Sequence, residues 1–170
     1  MNKKTVFLTK AAVIAALYTV LTLISAVFGL AYGGVQFRVS EAFCVLPLFS
    51  PAAVPGLTAG CIIANIFSSV TPLDTVIGSA ASFLAAVCTR KLRHITVRGI
   101  PVLSLLCPVV FNAVFIGAEI AFVSGETSFL TVFLLQGLSV AAGEAAVIFT
   151  LGSALMLWIR KNDRIRKFIS

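Results

Sequence analysis

A chain of 170 residues that is 59% hydrophobic and 11% charged, with a mean hydropathy of +1.08, lacks the polar surface a water-facing globule needs. It reads as an all-α integral membrane protein forming a single transmembrane domain over residues 1–170. The net charge of +7 does not indicate nucleic acid, because its position is wrong for that. The bases fall in three clusters (Lys3, Lys4 and Lys10; Arg90, Lys91, Arg93 and Arg98; Arg160, Lys161, Arg164, Arg166 and Lys167), each abutting an apolar run, as cytoplasmic ends do.

The first span is expected over residues 6–30, too long an apolar run for a signal-peptide core of roughly 7–15 residues. Within it Ala11 and Ala15, and Ala12 and Ala16, recur at spacing four. Such small-residue stripes admit another helix closely, either one of the protein's own or one of a separate membrane subunit. A Tyr-Gly-Gly turn follows. The run from Val35 to Ser40 then alternates apolar and polar, which is a strand signal. It predicts a short extended lid between the first two helices, made of Gln36, Phe37 and Arg38. Ser40 is expected to cap the next helix, with Glu41 in its first turn.

Residues 41–70 are too few for two spans of about 20 residues each. Pro47, Pro51, Pro55 and Gly56 nevertheless break the run near its middle. A single pass would also put the Lys10 and Arg90 clusters on opposite faces, so two short spans are expected, at 42–53 and 55–70. Thr71, Pro72 and Asp74 open a fourth span running to Thr89, with Thr71 as N-cap. A fifth covers 100–123 and contains Asn112 and Glu119; a sixth covers 129–159 and contains Gln136 and Glu144. The result is a six-helix bundle with both termini cytoplasmic.

On that topology five of the six acids lie in the outer half or within the membrane, with Arg38 as the lone base among them. An acidic vestibule favours a cationic or donor-rich guest. Glu144 sits mid-helix among alanines and Gly143, where a charge costs about 2.5–3.5 kcal/mol to insert and so faces a cavity or a partner. Gly143 would allow a ligand or helix close to the backbone. Asn65, Asn112 and Gln136 both donate and accept, as a purine-like edge requires, though interhelical bonding would use them equally well. The four cysteines read as small hydrophobes and His94 stands alone, so no metal or cofactor set emerges. There is no phosphate-binding loop and no nucleophile–base set, which argues against an enzyme.

Gly34-Val35-Gln36-Phe37-Arg38-Val39-Ser40-Glu41-Ala42, Gly60-Cys61-Ile62-Ile63-Ala64-Asn65, Pro72-Leu73-Asp74 and Gly143-Glu144-Ala145 resemble the QueT family over nearly the whole chain. Members are substrate-binding S components of energy-coupling factor (ECF) transporters. The resemblance implies a six-helix subunit of the plasma membrane that binds a queuosine precursor, the aminomethyl-deazaguanine or queuine. It would work with a coupling protein and two ATPases, docked through Ala11, Ala12, Ala15 and Ala16. Glu41, Asn65, Asp74, Asn112, Glu119, Gln136 and Glu144 are the expected substrate contacts. Phe37, Phe67 or Phe115 would stack on the ring. An S component for another vitamin or nucleobase, and a facilitator that needs no ATPase, are the alternatives.

Overall fold

In lipid a backbone must satisfy its own polar groups, and the chain does so almost entirely with helices. A computed structural model describes residues 2–31, 36–67 and 72–169. In chain order it contains α1 (Lys3–Val27), a 3-10 helix (Val39–Leu48), α2 (Ala53–Ile66), α3 (Pro72–Leu92), α4 (Val102–Ser124) and α5 (Phe129–Val147). α5 continues through a π-helical stretch (Ile148–Gly152) into α6 (Ser153–Lys161), and α7 (Asp163–Ile169) follows. No strand forms among the described residues.

Among the described residues four helical stretches are long and apolar enough to cross a membrane: Lys3–Val27, Pro72–Leu92, Val102–Ser124 and Phe129–Lys161. The 3-10 helix and α2 are shorter. Ten residues at about 2.0 Å rise and fourteen at about 1.5 Å give roughly 20 Å each, short of a bilayer core of about 30 Å. The two short spans expected at 42–53 and 55–70 have shorter bounds. The first is a 3-10 helix ending at Leu48, and the second is helical from Ala53 to Ile66.

A run of ten 3-10 residues is long for that conformation. It survives because it is enclosed by protein. Ser25, Thr22 and Tyr18 lie on one face of α1 at spacings of three and four. The Val39 amide donates to Ser25 Oγ at 3.1 Å, the Thr22 and Ser40 hydroxyls bond at 2.7 Å, and the Tyr18 hydroxyl donates to Glu41 Oε1. This ladder draws the segment down α1 until Glu41 lies beside the middle of the helix. At the other end Arg90 Nη1 donates to the Pro47 carbonyl at 2.9 Å, a cation placed where a helix terminus carries negative charge.

Three local expectations change accordingly. Ser40 is not a cap, because the 3-10 helix starts at Val39 with Arg38 at its N-cap and no side-chain cap bond. Gln36 to Arg38 form no strand and are buried or half-buried rather than laid on a surface. The Tyr-Gly-Gly turn at 32–34 and the Thr71 cap lie outside the described residues.

Glycines set the two closest helix contacts. A methyl on Gly56 or Gly60 of α2 would lie 2.8 Å from the Ala11 or Ala15 carbonyl oxygen of α1. One on Gly117 of α4 would lie 2.8 Å from the Gly137 Cα of α5. Gly60→Val should consequently lower stability by about 1–3 kcal/mol, the usual cost of overpacking. An unchanged thermal midpoint in detergent would show that α1 and α2 are not held this tightly.

Candidate functional site

The helix contacts fix relative depth. α4 and α5 are antiparallel and meet at Gly117 and Gly137, while Gly78 of α3 faces Ile116 of α4, with 3.6 Å between its ideal Cβ and Ile116 Cδ1. From these anchors the polar residues sort into two tiers. Asn112 and Glu119 are seven residues apart on α4, so the tiers are about 10 Å apart.

The inner tier lies near mid-bundle. Glu41 is 1% exposed and accepts from the Tyr18 hydroxyl and, at 3.0 Å, from the Cys44 thiol. Glu144, 4% exposed, lies within hydrogen-bonding reach of Glu41 and Asn112. An oxygen of Glu41, the Cys44 sulfur and an oxygen of Glu144 all fall within 4.8 Å of one another. Two buried carboxylates this close repel unless positive charge or a proton joins them.

The tier farther from the basic clusters gathers at the α2–α3 junction and the adjoining turns of α4 and α5. Asn65 Nδ2 donates to the Asp74 carbonyl at 3.0 Å, and Ser82 Oγ donates to Cys61 Sγ at 3.2 Å. Gly78 makes room for this group, since its Cβ would lie 2.6 Å from Asn65 Nδ2 and 3.3 Å from Asp74 Oδ1. Asn65 Oδ1 is buried with no hydrogen-bond partner among the described residues. Glu119 is buried at this depth on α4 and Gln136 half-buried beside Gly137 on α5.

Arg38 ties the tiers together. It is 5% exposed, its Nε donates to the Ala31 carbonyl at 2.7 Å, and its charge acts on Glu41, Asp74 and Glu144. Among the described residues it is the one buried base, set against the buried acids Glu41, Asp74, Glu119 and Glu144. The interior therefore carries three formal negative charges in excess. The segment before Arg38 closes over the helix that carries Glu144: a Cβ on Gly143 would sit 2.1 Å from the Gln36 carbonyl oxygen. Only glycine permits that crossing.

The family model described as QueT transporter matches residues 8–161, which takes in every one of these groups. The chain belongs to the QueT family. The "Queuosine precursor transporter QueT" of Lactococcus lactis subsp. cremoris is 34% identical over 83 residues, which span 49% of this chain and 48% of that protein. The match thus spans about half the length of that relative. No solved structure matches. With four long apolar helices, this QueT-family protein is a multi-pass membrane protein.

In this QueT protein Glu41, Asn112 and Glu144 come together, as do Asn65 and Asp74, with Glu119 and Gln136 at the level of the second group. Of the aromatics, Phe37 and Phe115 are half-buried, whereas Phe67 is 65% exposed. The alanine stripes divide. Ala15 is buried and Ala11 half-buried against α2, while Ala12 and Ala16 face outward. A hollow of about 280 Å³ at the basic end, lined by Lys3, Phe7, Lys10 and Ser50 among others, contains none of the candidate residues. Tyr18, Thr22, Ser25, Cys44 and Cys61 were not expected to take part. The Tyr18–Thr22–Ser25 spacing was the available signal for a polar face on α1. The two cysteines carry no sequence mark that separates a thiol bonded to a carboxylate from a small hydrophobe.

Proposed function

We propose that this QueT-family protein is the S component of an ECF importer, binding a queuosine precursor on the outer side of the plasma membrane. The reading is supported most by one observation, the convergence, among the described residues, of four buried acids, two buried amides and one guanidinium from five elements. An apolar bundle bears that cost only where the groups meet a guest or one another. A deazaguanine offers ring and exocyclic N–H donors that a carboxylate accepts in a bidentate pair, while its carbonyl needs a donor. Asp74 or Glu119 with Asn65 and Gln136 would read that edge, and Glu41 and Glu144 with Asn112 would take the aminomethyl arm. A tier spacing of about 10 Å suits a fused bicycle carrying one short arm. Phe37 or Phe115 would stack on its plane.

In this reading the 3-10 helix and α2, short as they are, make the second and third passes of a six-pass topology. Both termini lie on the cytoplasmic side, where the basic clusters are. The chain has no phosphate-binding loop, so ATP hydrolysis falls to two partner ATPases joined through a transmembrane coupling protein. Ala12 and Ala16, facing outward on α1, are the proposed docking stripe, with Ala11 and Ala15 supporting it from within.

Asp74→Ala should weaken binding of labelled aminomethyl-deazaguanine by about 100-fold or more, given roughly 1.5–3 kcal/mol for each lost bond to a charged acceptor. Binding within twofold of wild type would remove Asp74 from the site. Ala16→Trp should leave binding unchanged but abolish co-purification with the coupling protein, and intact co-purification would exclude docking there. Uptake in cells lacking the coupling proteins would favour a facilitator instead.

A further inference from the structure

We propose that Glu41 and Glu144 form an ammonium seat that holds one shared proton when empty, and that the ligand's ammonium enters by displacing it. This deepens, and rests on, the deazapurine reading above. The argument starts from geometry. The two carboxylates and the Cys44 sulfur are gathered within 4.8 Å in the middle of an apolar bundle. Both acids are almost fully enclosed. In a low-dielectric site such a pair keeps a proton between its members until a cation replaces it.

The hydrogen bonds show which member is open. Both Glu41 oxygens already accept, one from Tyr18 and one from Cys44. Glu144 Oε1 is buried with no hydrogen-bond partner among the described residues. An acceptor left open beside a second carboxylate matches a compact cation with three N–H donors.

The surroundings do not supply a substitute. Tyr18 faces the pair from α1, Arg38 and Cys44 from the 3-10 segment, Cys61 from α2 and Asn112 from α4, with Asp74 and Glu119 one tier away. Arg38 is the only cation in that set, and Asp74 draws on its charge as well. Exchange of a proton for an ammonium leaves the buried net charge unchanged. The ligand keeps all its own protons, the pair gives up one to the solution, and no covalent bond changes. A nitrile or other uncharged arm has nothing to exchange.

Calorimetry on the full-length protein in lipid nanodiscs tests this, with aminomethyl-deazaguanine and its nitrile analogue titrated in buffers of different ionisation enthalpy. Binding of the amine should release about one proton, and its affinity should rise by up to about tenfold per pH unit while the empty pair holds its proton. The nitrile should release none and show a flat profile. Glu144→Gln should abolish proton release and weaken the amine by about 100-fold, while nitrile binding stays within about threefold. Equal proton counts for the two ligands, equal affinity for them, or equal weakening of both by Glu144→Gln would overturn the seat. Loss of amine binding after chelator treatment would overturn it in favour of a metal held by the same thiol and carboxylates. If neither ligand binds wild-type protein, the deazapurine reading itself fails, a result distinct from the others.

Discussion

Arg38→Ala is expected to destabilise the fold by about 3–5 kcal/mol, the range seen when one partner of a buried charge set is removed. The reason lies in the balance of the interior. Glu41, Asp74, Glu119 and Glu144 are buried with Arg38 as the one buried base among the described residues. Without the guanidinium, the acids that feel its charge must take up protons or repel one another. The Ala31 carbonyl also loses its bond from Nε, and the segment leading into the 3-10 helix loses an anchor. The check is a double-mutant cycle on thermal or denaturant unfolding in detergent. Glu41→Gln should cost stability alone yet recover part of the loss in the Arg38→Ala background. Additive losses, or an Arg38→Ala midpoint equal to wild type, would show that Arg38 does not neutralise the interior.

Gly143→Val should reduce ligand binding by about 100-fold or more while leaving the helical content intact. The first added carbon would lie 2.1 Å from the Gln36 carbonyl oxygen, and that neighbour is backbone, which no rotamer change can move aside. The segment from Gln36 to Arg38 would be lifted from α5, taking Arg38 from its position between the two tiers. Ala142→Val is the control, since Ala142 is exposed on the same helix. The paired measurement is binding together with labelling of a cysteine placed at Gln36, which should be slow in the control and fast in Gly143→Val. Wild-type binding by Gly143→Val would mean that closure of this segment is not needed to hold the ligand.

Much of this arrangement could be read from residue types, for physical reasons that also explain where the reading stopped. An acid in the middle of an apolar run has to be enclosed, so Glu144 was recognisable, and Gly143 beside it was recognisable as a point of close approach. The identity of what approaches was not, because the Gln36 carbonyl comes from more than a hundred residues earlier in the chain. Length arithmetic flagged residues 41–70 as too short for two full passes. It could not choose the remedy, because a ten-residue 3-10 helix depends on enclosure by the other helices and not on local propensity. Arg38 sits in an alternating strip and so looked like a lid residue, and Glu41 like a first-turn helix charge. Only the three polar side chains of α1 explain why they lie at mid-depth. The two alanine stripes are equivalent in sequence. Gly56 and Gly60 across from Ala11 and Ala15 decide which one is spent inside the molecule.

The most direct test of the account is equilibrium binding of aminomethyl-deazaguanine to the purified protein in nanodiscs, run beside the Asp74→Ala/Glu144→Ala double variant. The two-tier polar column predicts saturable one-to-one binding by wild type and none by the double variant at the same ligand concentrations. Equal binding by the two proteins, or no saturable binding of any deazaguanine by wild type, would contradict it.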